Sequence, residues 1–123
     1  MKKILVVDDE LAVCNMLKKF LTKKGYKVIS VLSGKEAVKK VEKEDPHIVL
    51  LDIIMPGMGG VEVLQRIREI NKKIGVIMIT AVKDNEVAKK CIKMGAYDYV
   101  TKPFDLDYLK NVIMVKLLDY EDK

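Results

Sequence analysis

Five times along this chain a short run rich in β-branched or aromatic residues is followed by a stretch whose apolar residues recur every three or four positions. The short runs lie at residues 3–7, 26–31, 48–51, 75–79 and 97–100. Those at 3–7 and 48–51 show no polar alternation, as expected of strands buried on both faces. Leu11, Val13, Met16, Leu17, Phe20 and Leu21 trace a first helix over 11–24, which Gly25 ends in a left-handed turn. Ser33-Gly34-Lys35-Glu36 is a capping box, in which Ser33 and Glu36 can each satisfy a free backbone amide, opening a second helix that runs to about 43. Val61, Val63, Leu64, Ile67 and Ile70 give a third helix. Asp84 can cap a fourth that stops at Gly95, and Asp105 a fifth carrying Leu106, Leu109, Val112, Ile113 and Leu117.

Strict alternation of strand and helix implies a parallel sheet covered on both faces, because each crossover is right-handed and lays its helix on one face. A barrel needs eight such units, so the expected fold is α/β: a flavodoxin-like, doubly wound open sheet of five parallel strands in the order 2-1-3-4-5 with five helices. A length of 123 residues leaves room for one domain, residues 1–123. Half the residues are hydrophobic and 33% charged, a globular balance that needs no disulfide or metal to fold. Cys14 and Cys91 stand far apart in helical patterns and are expected to be small buried apolar residues of a reducing compartment.

Met1-Lys2-Lys3 imitates the start of a signal peptide, but the apolar run that follows stops after Val7 at Asp8-Asp9-Glu10. No run approaches the ~18 residues of a membrane span. A soluble, cytoplasmic protein without a membrane partner is expected. The net charge is +5, yet Arg66 and Arg68 are the only arginines and the lysines are dispersed among glutamates on helix faces. Nucleic-acid recognition wants a concentrated basic stripe with arginines or stacking aromatics, so no direct nucleic-acid contact is expected.

In open parallel sheets ligands bind beyond the carboxyl ends of the strands, where the strand order reverses. The residues at those ends are Asp8, Asp9 and Glu10 after the first strand, Asp52 after the third, Thr80 after the fourth and Lys102 after the fifth. Two or three carboxylates brought together cannot all stay ionised without a cation. An all-oxygen site with no nearby histidine or cysteine suits Mg²⁺, with Mn²⁺ able to substitute, rather than Zn²⁺. Lys102 and Thr80 can hold phosphoryl oxygens, and Asp52, alone on its strand, is placed to become an acyl phosphate. Singly, each residue has a bland explanation as a cap, a turn residue or a solvated lysine. Capping explains neither two adjacent acids nor a third on a neighbouring strand.

These residues, in this order and with Met55-Pro56-Gly57 after Asp52, Ala81 after Thr80, and Tyr99 three residues before Lys102-Pro103-Phe104, resemble the receiver domain of two-component response regulators over essentially the whole chain. The resemblance implies that Asp52 accepts a phosphoryl group from a sensor histidine kinase or phosphotransfer protein. It implies Asp9, Asp52 and the Ile54 carbonyl on Mg²⁺, Asp8 acting through water, Thr80 and Tyr99 as a switch, and a cis Lys102–Pro103 peptide. Output is expected through the face formed by the fourth helix, fifth strand and fifth helix, where Val112-Ile113-Met114-Val115 is too wide for one buried stripe. The protein is expected to be a stand-alone regulator or relay, monomeric or weakly dimeric on phosphorylation, and not an enzyme beyond its own phosphorylation and slow dephosphorylation.

Three alternatives compete. An excised N-terminal receiver of a DNA-binding regulator would share every motif. A Mg²⁺-dependent phosphatase of the haloacid-dehalogenase type would place an acid two residues after the nucleophile, where this chain has Ile54. An FMN-binding flavodoxin would carry a Ser/Thr/Gly-rich loop where Asp8-Asp9-Glu10 stands. His47 is expected to be a surface loop residue, Tyr97 to cover apolar surface, and the loop after Asp52 to shape the pocket without contributing side-chain chemistry.

Overall fold

A computed structural model describes residues 1–121. The elements run β1 (Lys3–Val7), α1 (Leu11–Lys23), β2 (Lys27–Val31), α2 (Gly34–Glu44), β3 (Ile48–Leu51), α3 (Gly60–Ile70), β4 (Gly75–Thr80), α4 (Asn85–Lys93), β5 (Asp98–Thr101) and α5 (Leu106–Glu121). The five strands form one parallel sheet in the order β2-β1-β3-β4-β5, as the alternation predicts. The expected bounds hold within one or two residues; β4 takes in Thr80, and β5 starts at Asp98 rather than Tyr97.

The unbroken apolar strands divide their side chains between two cores, because successive residues point to opposite faces. Leu5, Val7, Val49, Leu51, Val76 and Met78 pack under α2, α3 and α4, meeting Ala37, Val41, Val63, Leu64, Ile67 and Cys91. Ile4, Val6, Ile48, Leu50, Ile77 and Ile79 face the other way, onto Cys14, Leu17 and Leu21 of α1 and Leu109, Ile113 and Leu117 of α5. Each fully buried Leu or Ile stabilises the fold by roughly 2 kcal/mol, so both faces must be covered for the sheet to persist. Cys14 and Cys91 are free thiols buried in these cores.

Helix ends follow the local chemistry. Asp84 Oδ1 accepts from the amides of Glu86 and Val87, and Asp105 Oδ1 from those of Asp107 and Tyr108. Gly25 and Gly95 take φ of +96° and +104°, the left-handed turns that end α1 and α4. Half of the expected capping box forms: Ser33 Oγ accepts from Glu36 N at 3.3 Å, but Glu36 Oε1 accepts from the Ser33 hydroxyl instead of reaching the backbone. On α5, Ile113 is buried while Met114, Val115 and Leu118 are exposed, the split expected of a run too wide for one stripe.

His47 lies in the bend before β3, as expected of a loop residue, but is only partly exposed there. It is half-buried at the amino ends of β1 and β3, where its Nδ1 accepts the Lys3 amide at 3.0 Å and its ring meets Tyr120 edge-on at 5.2 Å. Proline at 46 marks a turn, but the parallel pairing of β1 and β3 draws the next residue into the ladder. No helix among the described residues is long and apolar enough to cross a membrane.

Candidate functional site

Among the described residues, three polar or charged residues are buried, Asp8, Asp52 and Thr80, and all three lie at carboxyl ends of strands. The sheet register explains why they converge. Val7 pairs with Leu51 across β1 and β3, so the residues that follow, Asp8 and Asp52, emerge side by side where the strand order reverses. Thr80 closes β4 one strand over, pairing with Thr101, and Lys102 follows directly. The Lys102 amide donates to Thr80 O at 2.8 Å, and the Lys102–Pro103 peptide is cis.

Buried carboxylates are unfavourable unless paired. Lys102 Nζ donates to Asp8 Oδ2 at 2.7 Å and lies 3.4 Å from both Asp52 Oδ2 and Glu10 Oε1. Asp8 Oδ1 accepts the Glu10 amide at 2.9 Å, and Asp52 Oδ1 the Ile53 amide at 2.7 Å. Burial pushes the Asp8 carboxyl up more than the Lys102 and Glu10 hydrogen bonds draw it down. Burial also works against the Lys102 ammonium, but Asp8 and Asp52 outweigh it and raise its pKa. The pairing is therefore lopsided. Lys102 is held charged by its acids, while burial still disfavours the ionised form of Asp8.

The loop at residues 53–59 leads from Asp52 into α3. The Gly60 amide donates to Ile53 O at 2.7 Å, and a Cβ on Gly60 would overlap the Asp52 carbonyl oxygen. Only glycine lets α3 start this close to the strand that carries Asp52. Ile54 projects into solvent at 68% exposure, and Val82 is half-buried after β4.

The carboxylate oxygens of Asp8, Glu10 and Asp52 lie within 4.8 Å of one another. An all-oxygen donor set carrying three negative charges fits a hard divalent cation such as Mg²⁺. Asp9 is exposed and stands outside this trio. In an extended stretch residues two apart share a side, and Glu10 is extended at φ −90°, ψ 108°, which groups it with Asp8. Glu10 follows the strand end in the sequence but is not among the metal ligands the resemblance implies; the Asp8-x-Glu10 spacing is the signal that groups it with Asp8.

Thr80 and Tyr99 meet through one residue. Thr80 Oγ1 accepts the Val82 amide at 3.3 Å, and the Val82 carbonyl accepts the Tyr99 hydroxyl at 2.6 Å. Tyr99 is half-buried against the core beneath α4, and burial raises its phenol pKa. Tyr97 lies with the Lys116 ammonium 5.2 Å from its ring centre, and the Tyr108 hydroxyl donates to Asp98 Oδ2 at 2.9 Å; neither touches the site.

Residues 4–114 match the family of response regulator receiver domains. The chain is 43% identical over 104 residues to the alkaline phosphatase synthesis transcriptional regulatory protein PhoP of Bacillus subtilis, covering 84% of this chain and 43% of that protein, so it spans less than half of that relative's length. It is 36% identical over 112 residues to the sporulation initiation phosphotransferase F of Bacillus subtilis, covering 91% of this chain and 90% of that protein. Its fold superposes on a CheY-like receiver domain protein from Methanospirillum hungatei with a TM-score of 0.96 at 31% identity, covering 99% and 98% of the two chains. With its strand order, its strand-end acids and these relatives in agreement, the chain belongs to the response regulator receiver domain family, the phosphoacceptor modules of two-component signal transduction.

Proposed function

We propose that Asp52 is the phosphoacceptor, taking its phosphoryl group from the phosphohistidine of a sensor kinase or phosphotransfer protein. In this reaction an Asp52 carboxylate oxygen forms a bond to phosphorus while the phosphorus–nitrogen bond breaks, and the electron pair of that bond returns to the imidazole. The observation that carries this reading is the convergence of buried Asp52 and Asp8 on one ammonium, that of Lys102, at the point where strand order reverses. Asp8, Asp9, Asp52 and the Ile54 carbonyl would hold Mg²⁺ or Mn²⁺, which neutralises charge on the phosphoryl oxygens. Lys102 and Thr80 would take the remaining oxygens. The family assignment leaves the phosphatase and flavin readings without support.

In this reading the 123 residues act as one receiver unit, with no catalysis beyond their own phosphorylation and its slow reversal. Ile54, two residues after Asp52, and Val82, two after Thr80, carry apolar side chains that cannot orient a hydrolytic water. The switch follows from the bonds through Val82: a Thr80 hydroxyl drawn to the phosphoryl group gives up the Val82 amide, and the same residue's carbonyl holds Tyr99. The β4–α4 loop and the α4, β5, α5 face would shift together, biasing two pre-existing states. Ile92 of α4 and Met114, Val115 and Leu118 of α5 are exposed there and suit a protein partner or a weak self-contact.

The test is to incubate the protein with phosphoramidate and Mg²⁺ and weigh it intact. One phosphoryl adduct is expected, absent from Asp52→Asn and from chelated samples. An adduct of wild-type extent in Asp52→Asn would overturn the assignment.

A further inference from the structure

Lys102 is surrounded by three carboxylates, and the third, that of Glu10, stands outside the ligand set proposed above for Mg²⁺. Its position is specific. Glu10 Oε1 stands 3.4 Å from Lys102 Nζ, and its carboxylate lies within 4.8 Å of those of Asp8 and Asp52. Those two side chains are 4% and 9% exposed, whereas Glu10 is 64% exposed, so Glu10 closes the trio from the solvent side. Its backbone is held in place because its amide donates to Asp8 Oδ1 at 2.9 Å. Within the trio three carboxylates share one ammonium, which leaves negative charge for a dication to neutralise.

We propose that Glu10 is the outer carboxylate of the cation site: it shares Lys102 in the cation-free protein and releases it to the phosphoryl oxygens once a dication is bound. The inference rests on the reading of Asp52 as a Mg²⁺-assisted phosphoacceptor. An exposed glutamate paired with a surface lysine contributes little, because solvent screens the pair. Here the lysine is 16% exposed and already engaged by two buried acids, and a dication couples to the glutamate twice as strongly as a single charge does. Glu10 therefore has two opposite effects. It draws a cation in, and at the mouth of the site it repels an anionic phosphodonor.

The experiment is a Mn²⁺ titration by calorimetry of wild type, Glu10→Gln and Glu69→Gln, the last removing an equal charge from exposed α3 surface. Glu10→Gln is expected to bind Mn²⁺ about three- to tenfold more weakly, with Glu69→Gln within about twofold of wild type. Labelling by acetyl phosphate should then need correspondingly more cation in Glu10→Gln than in wild type. A Glu10→Gln affinity within twofold of wild type, or an equal loss in Glu69→Gln, overturns the assignment of Glu10 alone. A wild-type protein that neither binds Mn²⁺ nor acquires a phosphoryl group overturns the phosphoacceptor reading beneath it.

Discussion

Lys102 and Arg68 are both drawn into the body of this protein, and their partners differ in kind. Lys102, at the carboxyl ends of the strands, is held by the carboxylates of Asp8, Asp52 and Glu10. Arg68, on α3, is held by backbone carbonyls: Nη1 donates to Lys72 O at 3.1 Å and Gly95 O at 3.4 Å, and Nη2 to Ile74 O. Carbonyls belong to the fold and carry no net charge, so Arg68 ties the end of α3 to the turn that closes α4 and has nothing to exchange. Carboxylates can trade one cation for another, so Lys102 keeps a place that a dication can take over. Burial lowers the pKa of Arg68 with no acid to offset it and leaves its Nε without a partner, whereas Lys102 is raised by its acids. A clamp and a placeholder are told apart by what the cation touches, not by how deeply it sits.

Substitution separates them most sharply. Lys102→Met should slow phosphoramidate labelling on the order of 10², since it removes a positioned charge from the reacting oxygens. Arg68→Met should leave labelling within a few-fold but lower stability by about 2–4 kcal/mol in denaturant unfolding, because three carbonyls lose a shared donor. Equal losses of labelling in the two variants would break the comparison.

Lifetime of the acyl phosphate comes next. Replacing Ile54 by Asn and Val82 by His supplies side chains that can orient water, and loss of phosphate should quicken about tenfold. Arg68→Met should leave the lifetime unchanged. Decay that stays constant or slows in the polar double variant would show that these two residues do not control it.

Alkaline pH gives the smallest effect. The Lys102 pKa is raised in the folded protein, so its stabilising contribution is complete below the ordinary lysine value near 10.4 and is lost as pH rises through the folded value. Wild type should lose more stability than Lys102→Met as pH rises past the ordinary lysine value, and Arg68→Met should track wild type. Asp8 works in the opposite sense: its raised carboxyl takes up a proton first in the folded state, so ionising it lowers stability as pH climbs past about 4.

The contrast between the two cations also marks what the sequence made legible. Lys102, Asp8, Asp52 and Thr80 could be brought together from the chain alone because each follows an apolar run, and parallel strands end on one side. The fold was readable for the same reason: runs such as Ile48–Leu51 are too apolar to face water on either side. Arg68 was not readable, because its partners are carbonyls, which every residue carries. Glu10 was half-readable, its place evident but its turn toward Lys102 set by a backbone hydrogen bond to Asp8. His47 and Tyr120 meet only because the amino ends of the strands and the last turns of α5 pack together, a contact between residues far apart in the chain.

The central claim, that the carboxylates around Lys102 serve phosphorylation at Asp52, is tested most directly by locating the acyl phosphate. Borodeuteride reduces an acyl phosphate to an alcohol and so converts a phosphorylated aspartate to deuterated homoserine, which peptide mass mapping places in the chain. After labelling with phosphoramidate and Mg²⁺, homoserine is expected at position 52 and nowhere else. Homoserine at position 8 or 9, with Asp52 unmodified, would contradict the account.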